Sequence, residues 1–114
     1  MVREARPEDV PQLARIYLQA LRDTYRGLLP EEYFASLTQE KGEEVWTRAL
    51  AQPDQEVWVA ELDGQAAGAA GCKPDPDHQG WLNLSSLYVD GACQGRGVGR
   101  TLIHTVWDRA RAMG

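Results

Sequence analysis

One glycine-rich segment near the C-terminal end of the sequence constrains the fold more than any other feature. It occupies residues 94–100, follows an apolar, strand-like run over 81–89 and opens an amphipathic, helix-like run over 98–113. The first N–H groups of a helix have no acceptor within that helix, and the helix dipole favours negative charge beside them. Glycines also allow the main chain to approach a ligand without an intervening Cβ atom. The segment therefore predicts a strand-to-helix turn that binds phosphate.

The length and composition of the chain predict one globular domain. Its 114 residues, 43% of them hydrophobic, suffice for a single core. The net charge of −5 and the pI near 4.9 disfavour a nucleic-acid partner, which would require a basic surface. The charge is nevertheless uneven, because residues 91–114 carry four arginines and one aspartate. This local positive charge suits a small anionic ligand.

No segment predicts a membrane span, a secretion signal or a metal site. The sequence lacks a run of about 20 apolar residues, and charged residues interrupt its first ten positions. Its two cysteines, Cys72 and Cys93, are expected to be reduced thiols in a domain of this size. No cluster of His, Cys and Asp has the spacing of metal ligands. We therefore expect a cytoplasmic protein with no membrane partner and no metal.

The hydrophobic periodicity predicts the element order β-α-α-β-β-β-α. Apolar residues recur at helical spacing in some regions and form strand-like runs in others. Proline and glycine mark the breaks, and Asp63-Gly64 is typical of a β-hairpin turn. The alanines and glycines of 65–72 predict close packing by another element. The predicted strands are 1–5, 57–62, 65–72 and 81–89, and the predicted helices are 7–25, 31–50 (as one helix or as the pieces 31–37 and 40–50) and 98–113.

Three phosphate-binding patterns can be compared with residues 94–100. The P-loop pattern requires a lysine after its last glycine, and that lysine is absent from the segment. The dinucleotide-binding pattern Gly-x-Gly-x-x-Gly disagrees with the spacing of Gly95, Gly97 and Gly99. A third pattern, Gln/Arg-x-x-Gly-x-Gly/Ala, is matched by Gln94, Gly97 and Gly99. Glycine-rich turns also occur as plain connections between elements, and this alternative stays open.

The third pattern and its flanks resemble the acyl-CoA-binding motif of the GNAT N-acetyltransferase superfamily. Residues 87–90 (Leu-Tyr-Val-Asp) and 94–100 (Gln-Gly-Arg-Gly-Val-Gly-Arg) are similar to the fourth strand of that family and the turn after it. The helix opening Pro-Glu-Asp at 7–9, the loop 24–30 and the hairpin at 63–64 precede them in the family's order. The resemblance spans essentially the whole chain.

The resemblance implies an α+β fold of the three-layer α/β type, in which helices cover both faces of a central, mostly antiparallel sheet. It implies that the chain forms the N-terminal part of the acyl-CoA N-acyltransferase fold. The implied activity moves an acetyl group from acetyl-CoA to a primary amine by direct attack on the thioester. The implied partners are acetyl-CoA, as cosubstrate, and an acceptor amine that the sequence does not identify.

The resemblance also implies which residues bind the cofactor. Main-chain N–H groups of the turn would hold the pyrophosphate of CoA, and two arginines would add positive charge. The end of the fourth strand would pair with the pantetheine arm. The implied cofactor-binding residues are Leu87, Tyr88, Val89, Gln94, Gly95, Arg96, Gly97, Val98, Gly99 and Arg100.

The acceptor side of the implied site is less well defined. By resemblance Tyr25 and Arg26 line it, although Tyr25 also continues an apolar helical face and so fits a core position. Asn83 stands where the family often has an acidic residue, and an amide cannot remove a proton. Asp90 is expected to cap the turn rather than to act as a base. No catalytic residue is therefore assigned.

The family fold continues beyond the helix at 98–113 with a fifth strand, a further helix and a hairpin. The sequence ends at residue 114, so we expect a single, incomplete domain over 1–114 and an exposed edge on the fourth strand. Such an edge favours pairing with another strand, which makes a homodimer along that edge one expectation. The alternative to an enzyme is a CoA-binding or interaction module that keeps the fold without the catalytic elements.

Overall fold

The computed structural model of the chain describes residues 1–78 and 81–113. Its helices are α1 (Val10–Tyr25), α2 (Glu31–Ala35), α3 (Gln39–Ala51) and α4 (Val98–Met113), and its strands are β1 (Val2–Glu4), β2 (Glu56–Leu62), β3 (Gln65–Pro74) and β4 (Leu82–Val89). Short 3-10 turns at Pro7–Asp9 and Gly91–Cys93 precede α1 and follow β4. The predicted element order is confirmed, and the second helical region forms two helices.

The four strands form one antiparallel sheet in the order β1-β2-β3-β4. The predicted hairpin turn joins β2 to β3, and its residues Asp63 and Gly64 have φ angles of 53° and 79°. Positive φ at both central residues gives a turn whose twist matches that of the strands. Among the described residues, β4 has a sheet neighbour on one side alone. Its outer edge therefore offers unpaired main-chain groups.

Helices pack against both faces of the sheet and enclose two apolar clusters. On one face, α1 and α3 cover a cluster that includes Leu13, Ile16 and Val59. On the other face, α4 buries Leu102 beside Cys72. Each of these three helices turns one apolar stripe at helical spacing toward the sheet and keeps its charged residues outside. This arrangement confirms the predicted fold class.

Small residues in β3 allow the neighbouring strand β4 and the helix α4 to approach β3 closely. A Cβ atom on Gly68 would lie 2.7 Å from the carbonyl oxygen of Tyr88 and 2.9 Å from Cγ1 of Val98. Neither distance leaves room for a methyl group in a close-packed interior. Ala67 and Ala70 are fully buried in the same strand. The close packing that the composition of this strand predicts is therefore confirmed.

A bulge interrupts β4 near its middle. Gly71 pairs with Ser86, whereas the next residue of β3, Cys72, pairs with Leu84, so Ser85 is the extra residue. The Ser85 hydroxyl donates a hydrogen bond of 3.0 Å to the carbonyl oxygen of Gly71. A bulge bends its strand and redirects the side chains around it. It divides β4 into a first half before Ser85 and a second half that leads into the glycine-rich turn.

The two cysteines occupy different environments. Cys72 is buried and Cys93 is half-buried, and both are free thiols, as expected. Burial raises the pKa of the Cys72 thiol, and the negative charge of Glu56 raises it further. The thiol of Cys72 is therefore protonated at neutral pH and serves as a core group. Within residues 1–78 and 81–113, no helix is both long enough and apolar enough to cross a bilayer.

Candidate functional site

The glycine-rich turn after β4 has a main-chain shape that depends on glycine. Gly95 and Gly97 have φ angles of 84° and 80°, which lie in the left-handed region that other residues rarely adopt. A Cβ atom on either glycine would meet no atom within 4 Å. The requirement for glycine is therefore conformational, and the space in front of the turn is open.

Asp90 fixes the start of this turn through three contacts. Its N–H group donates to the carbonyl oxygen of Ala67 over 2.8 Å. Its carboxylate accepts the N–H of Ala92 over 3.0 Å and pairs with the guanidinium of Arg15 over 2.9 Å. The hydrogen bond from Ala92, followed by the one from Arg15, lowers the pKa of Asp90. The expected capping role of Asp90 is confirmed, and the same contacts make its carboxylate a poor base.

The turn and the first residues of α4 present a row of main-chain N–H groups. The first hydrogen bond of α4 runs from the N–H of Thr101 to the carbonyl oxygen of Gly97 over 3.0 Å. Within residues 1–78 and 81–113, the N–H groups of the four residues 97–100 have no protein acceptor. These N–H groups lie at the N-terminal end of a 16-residue helix, where the helix dipole favours an anion.

A cavity of about 410 Å³ lies in front of this row of N–H groups and is called the turn cavity below. The residues that line it are Val89, Cys93, Gln94, Gly95, Gly97, Val98, Gly99 and Arg100. The side chains of Arg96 and Arg100 are exposed, and neither forms an ion pair with another residue that the structure describes. The turn cavity thus combines N–H donors with uncompensated positive charge, as a site for a phosphate group requires.

A second cavity, of about 370 Å³, lies between the C-terminal part of α1 and the second half of β4 and is called the helix–strand cavity. Leu87, Tyr88 and Val89 line it together with Tyr25 and Asp23. Val89 and Gln94 line both this cavity and the turn cavity. The two cavities are therefore neighbours, and together they follow β4 into α4.

The structure places the three residues predicted for the acceptor side at different positions. Tyr25 lines the helix–strand cavity and is 42% exposed, so the alternative of a core position is wrong. Arg26 is exposed and pairs with Asp23 over 3.5 Å. Asn83 lies in the first half of β4, opposite Lys73, and is about 20 Å along the strand from Val89. Asn83 is thus not brought to the turn, and its contact with an acceptor stays a prediction.

Tyr88 connects the second half of β4 to the opposite face of the sheet. Leu87 and Val89 pack against the α4 cluster, whereas Tyr88 packs against the α1 and α3 cluster. The Tyr88 ring meets those of Tyr17 and Trp46 edge to face, at centroid distances of 5.3 Å and 6.1 Å. Burial, with smaller contributions from Tyr17 and Tyr25, raises the pKa of the Tyr88 phenol. This phenol therefore stays protonated at neutral pH.

Sequence reasoning missed Asp23 as a residue of the site. Its carboxylate is the only acidic group among the described residues that line the helix–strand cavity. One carboxylate oxygen would lie 3.8 Å from a Cβ atom on Gly91, at the start of the turn. Asp23 sits in the last turn of α1 among residues of mixed polarity, and no spacing in the sequence relates it to residue 91. Only the packing of α1 against β4 brings the two together.

Other titratable residues lie outside a reactive arrangement. His104 is exposed on α4. Cys93 lines the turn cavity, but no neighbouring base accompanies it in the described part of the chain. Across residues 1–78 and 81–113, no group of three or more His, Cys, Asp or Glu side chains is close enough to hold a metal ion.

Comparison with known proteins identifies the family. Residues 15–114 match the model of the acetyltransferase (GNAT) family, and the chain belongs to that family. It is 28% identical to the probable N-acetyltransferase Rv2775 of Mycobacterium tuberculosis over 105 residues. The matched region covers 90% of this chain and 60% of that protein. It is 31% identical to the uncharacterized N-acetyltransferase YuaI of Bacillus subtilis, over 90% of this chain and 59% of that protein. The chain thus spans about three fifths of the length of these curated relatives.

Solved structures of the same fold include complexes with the coenzyme. A GNAT family acetyltransferase of Brucella melitensis, crystallised with acetyl-CoA, is 27% identical, with a TM-score of 0.72 over 100% of this chain and 70% of that chain. A ribosomal-protein-alanine N-acetyltransferase of the same organism is 28% identical, with a TM-score of 0.72 over 98% and 67%. The PaiA N-acetyltransferase of Thermoplasma acidophilum, crystallised with coenzyme A, is 21% identical, with a TM-score of 0.77 over 98% and 72%, which supports the fold alone. The family and the fold that the sequence resembles are confirmed.

Proposed function

We propose that this chain binds acetyl-CoA along β4 and in the turn cavity, and that it transfers the acetyl group to a primary amine. The observation that carries the proposal is the row of N–H groups of residues 97–100 at the start of α4, which faces an open cavity. The diphosphate of CoA accepts hydrogen bonds from these groups, and the helix dipole stabilises its charge. Arg100, which lines the cavity, adds positive charge, and so does Arg96, an exposed residue of the same turn that does not line it.

The pantetheine arm lies along the second half of β4. Leu87, Tyr88 and Val89 form the outer edge of the sheet there, and they lead directly into the turn. An extended chain with amide groups pairs with such an edge as an added strand would. The N–H group near Val89 then donates to the thioester carbonyl oxygen as negative charge develops on it.

Acetyl transfer requires an amine nitrogen without its extra proton. The nitrogen attacks the thioester carbonyl carbon, the carbon–sulfur bond breaks, and CoA leaves as a thiolate. An alkylamine has a pKa of about 10.4 in water, so a base accelerates the step at neutral pH. Asp23 is the carboxylate in the helix–strand cavity that can accept this proton. Tyr25 lines the same cavity, and exposed Arg26 pairs with Asp23 beside it.

A CoA-binding module without turnover is the second candidate. One observation favours it, which is that the carboxylates near the end of β4 are both engaged. Asp90 pairs with Arg15, and Asp23 pairs with Arg26. Because both carboxylates have cationic partners, binding of CoA without acetyl transfer is the second outcome that this geometry allows.

A homodimer is the partner that suits the first half of β4. An apolar groove of about 540 Å³ runs there between the strand and α4. It is lined by large exposed side chains, including Trp81, Leu84 and Trp107, of which the two tryptophans are each 62% exposed. A second copy would pair edge to edge along β4 and cover the groove through an isologous contact. Sedimentation velocity tests this, because Leu84→Lys is expected to shift a dimer to a monomer, and a monomeric wild-type chain contradicts it.

Calorimetric titration with acetyl-CoA, followed by turnover on a panel of amines, tests the proposed function. Saturable one-to-one binding with release of free thiol in the presence of an amine supports the enzyme. Saturable binding without thiol release supports the binding module. Arg48→Ala, which alters an exposed residue of α3, is the control for unspecific effects. An absence of binding to a folded chain overturns both candidates.

A further inference from the structure

A third pocket of about 190 Å³ lies against the β4 bulge, on the α1 and α3 face of the sheet. We call it the aromatic pocket, because the rings of Tyr17, Trp46 and Tyr88 line it. Most of its surface is apolar, and none of the side chains that line it, all within residues 1–78 and 81–113, carries a charge. Such a lining accommodates an uncharged, apolar group and penalises an ionised one.

Two polar side chains at the edge of the aromatic pocket already have partners in the protein. The Gln55 amide donates to the Ser85 hydroxyl over 3.4 Å, and the Ser85 hydroxyl donates to the carbonyl oxygen of Gly71 over 3.0 Å. These two donors therefore do not require a polar ligand, and a hydrocarbon group can enter beside them without breaking either hydrogen bond.

The aromatic pocket and the helix–strand cavity differ in charge, although Tyr88 lines both of them. The helix–strand cavity contains the Asp23 carboxylate, whereas the aromatic pocket contains no charged group. An acceptor amine is a cation in neutral water, since its pKa is about 10.4, and a carboxylate attracts it. The acyl group of a thioester is uncharged, and its hydrocarbon part leaves water favourably. The amine is thus suited to the helix–strand cavity and the acyl group to the aromatic pocket.

The aromatic pocket also continues the path proposed for the pantetheine arm. Ser85 and Ser86 line the pocket and immediately precede Leu87, the first residue proposed to pair with pantetheine. The arm runs from the turn past Val89 toward Leu87, so the group attached to its sulfur lies next to the pocket.

We propose that the aromatic pocket binds the acyl chain of the donor, so that this protein uses acyl-CoA thioesters of up to about six carbons as well as acetyl-CoA. This inference rests on the proposed function. An apolar cavity of about 150 Å³ holds one benzene molecule, with its six carbons, whereas an acetyl methyl group leaves most of such a space empty. The transfer step is unchanged: the amine nitrogen bonds to the acyl carbonyl carbon, the carbon–sulfur bond breaks, CoA leaves as a thiolate, and the proton of the amine passes to Asp23.

Calorimetric titration of the full chain with acetyl-, butyryl-, hexanoyl- and decanoyl-CoA tests the proposal without requiring turnover. Affinity is expected to rise about twofold to fourfold for each methylene group up to hexanoyl-CoA, as burial of hydrocarbon predicts. Decanoyl-CoA is expected to bind within about twofold of hexanoyl-CoA, because the additional methylenes find the pocket full and remain in water.

Variants that fill the aromatic pocket are expected to remove this dependence on chain length. Ala49→Phe adds a ring at a half-buried residue that lines the pocket, and Val45→Phe does so at a lining residue that is 40% exposed and therefore tolerant of change. Both are expected to leave the affinity for acetyl-CoA within about twofold and to remove the gain for hexanoyl-CoA. Thr47→Phe, which adds the same ring at an exposed residue of α3 outside the pocket, is the matched control and is expected to keep the gain.

The same titrations separate this proposal from the proposed function. If acetyl-CoA and hexanoyl-CoA bind with equal affinity, the acyl pocket is wrong and the CoA site stands. If no CoA thioester binds to the folded chain, the proposed function is wrong and this inference falls with it. If the gain for hexanoyl-CoA survives in Ala49→Phe and Val45→Phe but is lost in Trp107→Ala, the acyl chain lies in the groove between β4 and α4, which contradicts the proposal.

Discussion

Arg15 in α1 and Asp90 at the end of β4 form an ion pair of 2.9 Å that connects residues 75 positions apart in the chain. The same carboxylate accepts the N–H of Ala92 at the start of the turn. Because α1 forms one wall of the helix–strand cavity and the turn forms the other cavity, this pair fixes the two cavities relative to each other. We expect Asp90 to position the turn rather than to touch the reacting atoms.

Replacing Asp90 tests this positioning role. Asp90→Ala is expected to lower the free energy of unfolding by about 1–2 kcal/mol, because one partly exposed ion pair and one turn hydrogen bond are lost. The affinity for CoA is expected to fall about threefold to tenfold, because displacing the turn lowers the free energy of binding by an amount comparable to the loss in stability. Urea denaturation and calorimetry measure the two effects. The exposed pair of Arg48 and Glu44, 3.8 Å apart, supplies the control Arg48→Ala, and equal losses in both variants contradict the positioning role.

The free energy of unfolding is expected to fall at acid pH, in part because the Asp90 carboxylate becomes protonated. Its pKa lies below the ordinary value of 3.8 in the folded state, so the unfolded state binds more protons near that pH. Stability from this group is therefore present above pH 3.8 and is lost as the pH falls through the folded pKa. Asp90→Asn is expected to reduce the slope of stability against pH in that window. Denaturation curves measured from pH 6 down to about pH 3 test this, with exposed Asp54→Asn as the control; parallel curves for wild type and Asp90→Asn refute it.

Two glycines of the turn are expected to respond differently to the same change. Gly97 has a φ angle of 80°, so Gly97→Ala costs about 1–2 kcal/mol or moves the turn, and CoA affinity falls about five- to thirtyfold. A Cβ atom on Gly99 would lie 3.5 Å from Cγ2 of Val89, which is ordinary contact. Gly99→Ala is therefore expected to leave CoA affinity within about twofold and to favour α4 slightly. Calorimetric titration of CoA into both variants measures the two affinities. A larger loss of affinity in Gly99→Ala than in Gly97→Ala would contradict a phosphate site that depends on the conformation of Gly97.

The close approach of β4 and α4 to Gly68 of β3 predicts an effect of that glycine on the free energy of unfolding. Gly68→Ala places a methyl group 2.7 Å from the Tyr88 carbonyl oxygen and 2.9 Å from Val98. The expected loss in free energy of unfolding is about 1–3 kcal/mol, as for other overpacked positions. Gly91→Ala, whose nearest atom would be 3.8 Å away, is the control and is expected to change stability by less than about 0.5 kcal/mol. Urea denaturation of the two variants measures the difference, and similar stabilities would show that the sheet adapts.

The turn and the last helix could be predicted because their signal is local. The spacing of Gln94, Gly97 and Gly99 lies within six residues, and the apolar stripe of α4 follows at once. Turn conformation and helix periodicity are both properties of short segments. The sequence therefore placed the start of α4 at Val98, where the structure has it.

Contacts between distant segments could not be predicted in the same way. Asp23 joins the site only because α1 packs on the second half of β4. The rings of Tyr17 and Trp46 meet Tyr88 through the same packing. The bulge at Ser85 was likewise missed, since the run 81–89 predicts one continuous strand. The sequence left two positions open for Tyr25, the acceptor side of the site and the core. Its 42% exposure in the structure excludes the core.

A crystal structure of the full chain grown with coenzyme A tests the central claim most directly. We predict that diphosphate oxygens lie about 2.7–3.2 Å from the N–H nitrogens of Gly97, Val98, Gly99 and Arg100, with the pantetheine arm beside Leu87–Val89. A diphosphate bound elsewhere on the chain, in crystals where calorimetry has established saturation, would contradict the account.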